Sequence, residues 1–467
     1  MEGNQAHVVV VGAGISGLAA AWYIRQGAGE RVKVTVLEGG PRIGGKLHAS
    51  EVAGVNVDAG AEAMLARRPE GKELAEAVGL GEDLVFPGTT RSAIYTRGAL
   101  RWMPKGQVMG VPADLTELAR SGIVSPGGLL RVPLDQILPP TLVRTDVSVA
   151  AYIRARMGGE IVDRLVEPLL GGVYAGRSEM LSLEATMPRV AAVARSERSL
   201  LSAARQLVEE TPKEAGPVFT SLKNGVGSLP EAVAKASGAD IRTGVTVREL
   251  RRTERGWQLV TGPVPNPETI EADAVIVATP GPASSRLLKA EAPKAASELA
   301  RIEYASMAVV TLAYPISAFP EPPTSSGYLV PPVEGRPVKA VTFSSVKWPH
   351  LAKDLVILRC SIGRIGEEHL LQREDAEMVS LATAEMGDVM GARGLPVDTR
   401  VTRWGGALPQ YNVGHLDRVA RVRAAVAMQP GLAVCGAAYD GIGVPACVAT
   451  ARTAAARILD HLSRRGE

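Results

Sequence analysis

The hydrophobic positions near the start of the chain form two short runs with a helical pattern between them. Residues His7–Val11 (HVVVV) are typical of a buried parallel strand, in which β-branched residues follow one another, and Val32–Leu37 (VKVTVL) is predicted as the second strand. Between them, Leu18–Gln26 has a helical composition, and its three successive alanines would allow close packing on a sheet. The order of strand, helix and strand predicts one βαβ unit here.

Hydrophobic patterning also organises the remaining residues. Residues 112–208 are mostly helical by pattern, whereas residues 305–403 alternate strands and turns around one helical stretch, Arg373–Met386. Further elements are predicted as strands at Ile241–Leu250, Trp257–Val260, Ala274–Ala278 and Leu432–Ala437, a hairpin at Tyr95–Trp102 that turns at Arg97-Gly98, and a final helix that ends at Leu462. A chain of 467 residues is long enough for two or three domains.

A glycine-rich loop connects the first strand to the first helix. It reads Gly12-Ala13-Gly14-Ile15-Ser16-Gly17. Gly12 permits a tight turn, Gly14 lets the backbone approach a phosphate, and Gly17 lets the helix pack near the strand. Free N–H groups at the helix N-terminus would then meet a pyrophosphate. Glu38, at the end of the second predicted strand, stands where an acid is expected to bind ribose hydroxyls, and its charge disfavours a 2′-phosphate.

A second glycine-rich loop follows Glu38 at once and bears on which dinucleotide binds. Residues Gly39–Lys46 (GGPRIGGK) include the cations Arg42 and Lys46. A domain for NAD has no need of this second loop, whereas a longer ligand such as FAD does. The sequence therefore favours FAD as the cofactor.

Composition and charge narrow the class of protein. The formal net charge is +3 and only 4% of residues are aromatic, which argues against nucleic acid as a partner. Three cysteines without metal-ligand spacing indicate buried thiols in a reducing compartment, and no metal site is expected. No uninterrupted apolar stretch has transmembrane length, although Gly127–Thr141 could lie on a membrane surface. We expect a cytoplasmic protein with at most peripheral membrane contact.

Three further motifs carry a resemblance to a known family. They are RIGGK at Arg42–Lys46, RW…LPQY…GH between Arg403 and His415, and the closing segment CGAAYDGIGVPACVATA from Cys435. With these motifs the chain resembles, over essentially its whole length, the porphyrinogen oxidase branch of the flavin-dependent amine-oxidase-like oxidoreductases.

The resemblance implies an α/β and α+β fold. It combines a discontinuous Rossmann-like FAD-binding domain, a substrate domain with a mixed sheet, and a helical domain. On this chain the FAD-binding parts would be residues 1–90, 211–285 and 416–467. The helical, substrate-lining domain would be 91–210, and the substrate-domain sheet 286–415.

The resemblance also implies which residues approach FAD. Lys46 and the run Gly60, Ala61, Glu62 and Ala63 would follow the cofactor toward its ring. Val247 matches a valine whose backbone meets adenine. Trp404 and the run Gly441, Ile442, Gly443 and Val444 match positions near the isoalloxazine. For Val247 or Trp404 taken alone, core packing would be the ordinary interpretation.

The family removes six hydrogens from a porphyrinogen in three flavin cycles, with dioxygen as acceptor and hydrogen peroxide as product. By resemblance, Leu329 would press on the macrocycle face and Gly327 would keep the backbone close to the reacting carbon. Arg68 and Arg91 are candidate cations for the propionates. Arg91 departs from the family pattern, because the alignment places Ser92 at the position of the family arginine.

Three alternatives to this interpretation remain open: protoporphyrinogen IX as the substrate, a flavin amine oxidase, and a flavin-binding protein without turnover. Coproporphyrinogen III is favoured over protoporphyrinogen IX because it carries more carboxylates and the chain has a group of cations in this region: Arg67, Arg68, Arg91, Arg97, Arg101 and Lys105. A flavin amine oxidase would need an aromatic cage, which the low aromatic content supports poorly. A flavin-binding protein without turnover is the third reading. The reactive product implies hand-over to a following enzyme, expected to be a ferrochelatase.

Overall fold

The computed structural model describes residues 5–141, 144–211, 216–352 and 354–466. The strands, in chain order, are β1 (Ala6–Val11), β2 (Val32–Leu37), β3 (Ala49–Val52), β4 (Val55–Asp58), β5 (Met64–Leu65), β6 (Leu84–Val85), β7 (Ala93–Thr96), β8 (Ala99–Trp102), β9 (Gln107–Val108), β10 (Val111–Pro112), β11 (Phe219–Leu222), β12 (Asp240–Arg242), β13 (Glu249–Arg252), β14 (Trp257–Thr261), β15 (Glu268–Ala272), β16 (Ala274–Val277), β17 (Tyr304–Pro315), β18 (Gly327–Leu329), β19 (Val338–Phe343), β20 (Leu355–Ile362), β21 (Asp398–Pro409) and β22 (Leu432–Val434).

The α-helices, in chain order, are α1 (Ile15–Ala28), α2 (Pro69–Ala77), α3 (Leu115–Ser121), α4 (Pro126–Arg131), α5 (Val149–Met157), α6 (Gly159–Ile161), α7 (Glu167–Tyr174), α8 (Leu183–Thr186), α9 (Pro188–Ser196), α10 (Leu200–Glu209), α11 (Leu229–Ser237), α12 (Gly281–Leu288), α13 (Pro293–Ala300), α14 (Ser344–Lys347), α15 (Asp375–Met390), α16 (His415–Ala427) and α17 (Val444–Gly466). Short 3-10 turns and one π-helical turn, Val162–Val166, join several of them.

A five-stranded parallel sheet carries the nucleotide-binding loop. Its strand order is β12-β2-β1-β16-β22. These strands come from segments hundreds of residues apart in the chain, as expected for a discontinuous Rossmann-like domain. Helices α1, α11 and α17 cover one face through a core that includes Leu18, Val233 and Val448. The other face packs on α13, α16 and the β13-β14-β15 sheet. The central strands β1 and β16 are the most deeply buried, which explains their continuous apolar runs, whereas β12 at the edge is polar and largely exposed.

A seven-stranded mixed sheet forms the second layer, in the order β21-β17-β20-β19-β18-β7-β8. Cross-strand partners share a face, because side chains alternate along each strand. One face carries Tyr328, Val341 and Cys360, which are buried in a core against α15. We call the opposite face, which carries Leu329 and Trp404, the inner face. The β3–β4 hairpin packs on this inner face.

A helical region between β10 and β11 has its own hydrophobic core. Its most buried ion pair joins Arg156 to Asp135 at 2.5 Å, and the guanidinium also donates to the carbonyl of Pro139. Such a pair is costly to break because a lone buried charge would remain. The inner face of the seven-stranded sheet approaches this region, since Leu329 packs against the same core.

The structure confirms most predicted elements and corrects one. The predicted strand Ile241–Leu250 is wrong as a single element, because β12 ends at Arg242 and β13 begins at Glu249. Between them the chain leaves the sheet, and the N–H groups of Gly244 and Val245 donate to the carbonyls of Gly40 and Glu38. Alternation of residue types cannot reveal such a detour, since its partners are distant in sequence.

Within the ranges that the structure describes, none of the helices combines the length and the apolar composition needed to cross a bilayer.

Candidate active site

The first glycine loop lies between the end of β1 and the start of α1. Gly12 has φ of +104° and donates its N–H to the carbonyl of Leu37 at 2.7 Å. A Cβ on Gly17 would lie 1.9 Å from the carbonyl oxygen of Gly12, so this position tolerates only glycine. A Cβ on Gly14, in contrast, would meet no described atom within 4 Å. The loop is therefore tightly packed on the protein side and open at Gly14.

Glu38 lies beside this loop. Its carboxylate accepts hydrogen bonds from the N–H groups of Ala13 and Gly40, both at 2.8 Å. In the loop itself, Ile15 and Ser16 come after Gly14, form the first turn of α1 and are buried. The acid predicted to bind ribose is thus held next to the loop predicted to bind pyrophosphate.

The second glycine-rich loop docks directly on the first. The N–H of Gly44 donates to the carbonyl of Ala13 at 2.8 Å. Arg42 donates to the carbonyls of Ile43 and Gly45, and its guanidinium carbon lies 5.8 Å from the centroid of the Trp404 ring.

The other end of the second loop region approaches the segment predicted to meet adenine. A Cβ on Gly39 would lie 3.1 Å from the Thr246 hydroxyl. Val247, the next residue, is buried at 9% exposure in the core under the five-stranded sheet. The contact of its backbone with adenine stays a prediction.

Residues 58–63, which we call the flavin loop, pass between Lys46 and the inner face of the seven-stranded sheet. The N–H of Ala61 donates to the carbonyl of Lys46 at 3.2 Å, and a Cβ on Gly60 would lie 1.9 Å from that oxygen. On the other side, the Trp404 indole N–H donates to the carbonyl of Ala59 at 2.9 Å. The loop is thereby held on both sides, with Ala63 at its end before β5.

The closing segment reaches the same place from the C-terminal part of the chain. Gly441 donates its N–H to the Tyr411 hydroxyl at 2.9 Å. Ile442 packs at the edge of the helical core. Val444 is the first residue of α17, and in this helix the N–H of Cys447 donates to the carbonyl of Gly443.

Lys46 and Arg68 both lie close enough to Cys447 for their charges to influence the pKa of its thiol. Burial raises the pKa of the Cys447 thiol, and the charges of Lys46 and Arg68 act against that rise. Burial also lowers the pKa of Lys46. Loops that are far apart in sequence therefore converge at the N-terminus of α17.

Gly327 and Leu329 lie on the inner face, on the strand β18. Their cross-strand partners on β19 are Thr342 and Ala340. Gly327 has φ of +150°, and a Cβ there would lie 2.1 Å from the carbonyl oxygen of Val341, so glycine is required. Leu329 faces α7, where a Cβ on Gly172 would lie 3.4 Å from its side chain.

Arg91 and Arg68, the candidate carboxylate-binding cations, have different surroundings. Arg91 is exposed, and its guanidinium lies 4.0 Å from the centroid of the Trp102 ring. Its carbonyl accepts from the N–H of Ser326, next to Gly327, at 2.8 Å. Arg68 pairs with Glu70 at 2.7 Å, so a carboxylate already satisfies its charge.

A groove of about 490 Å³ opens beside Trp404 at the edge of the seven-stranded sheet. Charged side chains of both signs surround it, and its lining includes Met307, Leu371, Arg373, Asp375 and Arg403. Trp404 therefore contacts the flavin loop and also borders this groove.

A family model described as flavin containing amine oxidoreductase matches residues 15–459. The chain belongs to this family. A coproporphyrinogen III oxidase from Mycobacterium tuberculosis is 38% identical over 97% of both chains, and one from Bacillus subtilis is 32% identical over 99% of this chain and all of that one. A crystal structure of an Exiguobacterium protein, provisionally assigned as a protoporphyrinogen oxidase, superimposes with a TM-score of 0.86 at 32% identity and covers 98% of this chain and 99% of the other. The resemblance to the porphyrinogen oxidase branch is thus confirmed.

As in other members of the flavin-containing amine oxidoreductase family, the cofactor is FAD, and the residues present fit it. The open space at Gly14, the N-termini of α1 and α17, and the carboxylate of Glu38 offer what a diphosphate and a ribose need. The N-terminal ends of α1 and α17 lie close together, since a hydrogen bond involving Ser16, in the first turn of α1, acts to lower the pKa of the Cys447 thiol near the start of α17.

The sequence motif PQY…GH supported the family resemblance, but no role had been predicted for its residues. Buried Gln410 donates to the carbonyl of Tyr174 at 2.8 Å. The Tyr411 hydroxyl donates to the carbonyl of Ala437 at 2.6 Å. His415 Nε2 lies 3.1 Å from the carbonyl oxygen of Tyr439, and burial lowers the pKa of this histidine to about 4. Hydrogen bonds from Tyr411 and His415 therefore hold the backbone of the segment that carries Gly441.

The position of Glu62 along the cofactor path stays a prediction, whereas the structure shows what its side chain contacts. Its carboxylate points to the sheet, where Lys347 Nζ lies at 3.1 Å and Arg359 Nη1 at 3.6 Å. These cations hold the pKa of the Glu62 carboxyl at about 2 although burial opposes them. Lys347 and Arg359 have no motif around them, so sequence reasoning had no signal to find them.

Proposed function

We propose that this chain oxidises coproporphyrinogen III to coproporphyrin III with FAD as cofactor and dioxygen as electron acceptor, releasing hydrogen peroxide. One observation carries the proposal. Gly327, Leu329 and Trp404 lie on one face of a single sheet, and that face contacts the flavin loop. A macrocycle held against Leu329 would therefore share a wall with the flavin site. The coproporphyrinogen III oxidases among the relatives support the choice of substrate.

The residues of the chain bind and orient rather than react. FAD, when bound, supplies the hydride acceptor and passes the electrons on to dioxygen. The loop Gly12–Gly17 would hold its diphosphate, Glu38 its ribose, and the flavin loop would run beside its ring. Leu329 and Gly327 would form a flat apolar wall that excludes water from the reacting carbon.

The overall reaction balances without a protein nucleophile. Removing six hydrogens from the porphyrinogen reduces three molecules of dioxygen to three of hydrogen peroxide. Protons from the pyrrole N–H groups leave to solvent. The described residues contain no group of three or more His, Cys, Asp or Glu side chains that could hold a metal ion.

The preference for a tetracarboxylate rests on the cations near the sheet. Arg91 is exposed beside Ser326, whereas Arg97 donates to the carbonyls of Gly122 and Val124. Arg101 donates to the carbonyl of Thr96. Of these, Arg91 is the arginine with a guanidinium directed at an aromatic ring rather than at a carbonyl, which leaves its N–H donors available to a propionate.

The test compares the two porphyrinogens on the purified holoenzyme. Turnover is followed by porphyrin fluorescence and by peroxide release. We expect faster oxidation of coproporphyrinogen III, with one peroxide formed for each pair of hydrogens removed. A clear preference for protoporphyrinogen IX would overturn the substrate, and bound FAD without turnover of either would overturn the enzyme assignment.

We further propose that the protein works in the cytoplasm, with at most peripheral contact to a membrane, and delivers its product to a ferrochelatase. The supporting observation for membrane contact is an apolar row around α4, where Leu130, Leu134 and Ile137 are exposed at 76%, 43% and 71%. Co-flotation with lipid vesicles, compared between the native chain and Leu130→Gln, tests this contact. Equal recovery of both with the vesicles would contradict it.

A further inference from the structure

Separate chain segments meet at Glu62, where the flavin loop touches the seven-stranded sheet. Its side chain is only 10% exposed and accepts a close hydrogen bond from the Ser344 hydroxyl. Lys347 and Arg359 supply two positive charges. The backbone carbonyl of Glu62 accepts from the Ser221 hydroxyl at 2.9 Å. This carboxylate is therefore the centre of a buried polar contact between the nucleotide-binding part and the sheet.

Arg359 makes the contact that reaches the flavin loop itself. It lies on β20, on the inner face, with 9% of its side chain exposed. Its Nη2 donates to the carbonyl of Gly60, while Nη1 faces Glu62. Trp404 holds the preceding carbonyl, that of Ala59. Two consecutive carbonyls of the flavin loop are thus held by two strands of one sheet, with β17 between them.

The same sheet carries the proposed substrate wall. Gly327 pairs with Thr342, and Thr342 pairs with Arg359, so the three lie in one row on the inner face. Two strand spacings place Arg359 about 10 Å from Gly327 across the sheet. A hydrogen-bonded sheet is stiff in this direction, so the position of Gly60 relative to Gly327 depends on the Arg359 contact.

We propose that Arg359 is a positioning residue that sets the distance between the flavin ring and the substrate wall by holding the Gly60 carbonyl. The contact between Arg359 and the flavin loop is present in the structure. The proposal rests on the proposed function only for the flavin ring and the substrate wall that this contact would position. A planar guanidinium can hold a carbonyl and a carboxylate at once, which a lysine ammonium cannot do with the same geometry.

The competing interpretation is a buried ion pair that only stabilises the fold. Breaking such a pair leaves Glu62 charged and costs stability whether or not the flavin moves. The two interpretations differ in what happens to the protein that still folds and binds FAD. A positioning role lowers the rate of flavin reduction in that protein, whereas a structural role lowers only its amount and its Tm.

The experiment compares Arg359→Met and Arg359→Lys with a matched control, Arg336→Met. Arg336 lies on the opposite side of the same sheet, where it pairs at 2.6 Å with Glu385, whose side chain is 1% exposed. The control therefore removes an arginine from a buried glutamate without touching the flavin loop. For each holoenzyme we measure FAD content, Tm, anaerobic flavin reduction by coproporphyrinogen III, KM, and the visible circular dichroism of the bound flavin.

We expect Arg359→Met to slow flavin reduction by on the order of 100-fold at unchanged KM, as a displacement of about 1 Å can do. The flavin circular dichroism should change with it, and Arg359→Lys should recover part of the rate. Arg336→Met should lower Tm and keep the native reduction rate. Native rates and native flavin circular dichroism in FAD-loaded Arg359→Met would overturn the proposal.

Failure of the proposed function gives a different result. If the native holoenzyme oxidises neither porphyrinogen, the circular dichroism of its flavin still reports whether Arg359→Met moves the ring. If Arg359→Met fails to fold, Arg359→Lys carries the test, and a native reduction rate with native flavin circular dichroism in that variant would equally overturn the positioning role.

Discussion

The rings of Tyr411 and His415 stack face to face, with centroids 3.8 Å apart and an angle of 13° between their planes. From this stack, the tyrosine hydroxyl reaches Ala437 and Gly441, and the histidine reaches Tyr439. Two residues of one motif therefore fix the backbone of the closing segment at three points just before α17. The motif acts on the cofactor site through the backbone that it holds.

Replacing Tyr411 with phenylalanine should loosen the closing segment. The part-buried Gly441 N–H and Ala437 carbonyl would each lose a partner, which costs at most about 1–3 kcal/mol for each group, the figure for a fully buried one. We expect a lower Tm and weaker FAD retention, measured by thermal unfolding and by flavin release on dilution. Tyr174→Phe is the matched control, because Tyr174 packs 5.7 Å from Tyr411 and binds Gln410 through its backbone carbonyl. Equal losses in both variants would contradict a special role for the Tyr411 hydroxyl.

His415 should make folding stability depend on pH. Burial lowers its pKa from 6.5 to about 4 in the folded chain, so the unfolded chain binds more protons between these values. The contribution is fully present above pH 6.5 and is lost as the pH falls toward 4, by as much as roughly 3 kcal/mol. His415→Phe keeps an aromatic ring against Tyr411 and should flatten this part of the profile. The free energy of urea unfolding, measured across the window for both proteins, checks it, and parallel profiles would refute it.

Gly14 and Gly17 should respond differently to valine. A Cβ at Gly14 would meet no described atom within 4 Å, whereas a Cβ at Gly17 would collide with the carbonyl oxygen of Gly12. Gly14→Val should therefore fold with native far-ultraviolet circular dichroism and lose FAD, because its side chain fills the space for the diphosphate. Gly17→Val should fail to fold normally. Flavin absorbance of the purified proteins gives the answer, and full FAD occupancy in Gly14→Val would remove this loop from the cofactor site.

Substitutions at Gly327 and at Leu329 should have different effects, the first mainly on folding stability and the second mainly on substrate binding. Gly327→Ala places a Cβ 2.1 Å from the Val341 carbonyl oxygen and should disrupt the pairing of β18 with β19. Leu329→Ala removes apolar surface at a partly buried position and should cost less stability than Gly327→Ala while raising KM for the porphyrinogen. Thermal unfolding and steady-state kinetics on the two variants test this. A native KM in Leu329→Ala would place the substrate elsewhere.

Arg91 should matter more than Arg68 for a carboxylate-rich substrate. Arg68 is already paired with Glu70, whereas the exposed Arg91 lies over the Trp102 ring at the β8 edge of the seven-stranded sheet. We expect Arg91→Ala to raise KM for coproporphyrinogen III by about tenfold, the loss of one charge-assisted contact, and Arg68→Ala to raise it less. The effect of Arg91→Ala should weaken with added salt. The reverse order of the two variants would assign the propionates to Arg68.

Local order along the chain made much of the nucleotide site predictable. The loop Gly12–Gly17 lies within one βαβ unit, and Glu38, Arg42 and Lys46 follow it directly, so residues close in sequence set their geometry. The same holds for the hairpin β7–β8, where the predicted turn residue Arg97 has φ of +55°.

Side-chain contacts between segments that are distant in the chain could not be predicted from the sequence. The resemblance places Glu62 along the cofactor path and gives no sign that its carboxylate meets Lys347 and Arg359, almost 300 residues away in the chain. No periodicity records such a pairing, because a charged residue on an inner sheet face has the same sequence pattern as one exposed to solvent. The detour after β12 escaped prediction for the same reason.

The sequence by itself determined the class of ligand, since glycine spacing and a following acid specify a dinucleotide through local backbone geometry. It also determined the family, through motifs that lie far apart yet are each short. Only the tertiary structure decided which residues face one another across the site: that Trp404 and Arg359 hold consecutive carbonyls of the flavin loop, and that the sheet bearing them also bears Leu329. Strand order and register set those neighbours, and both come from packing the whole chain.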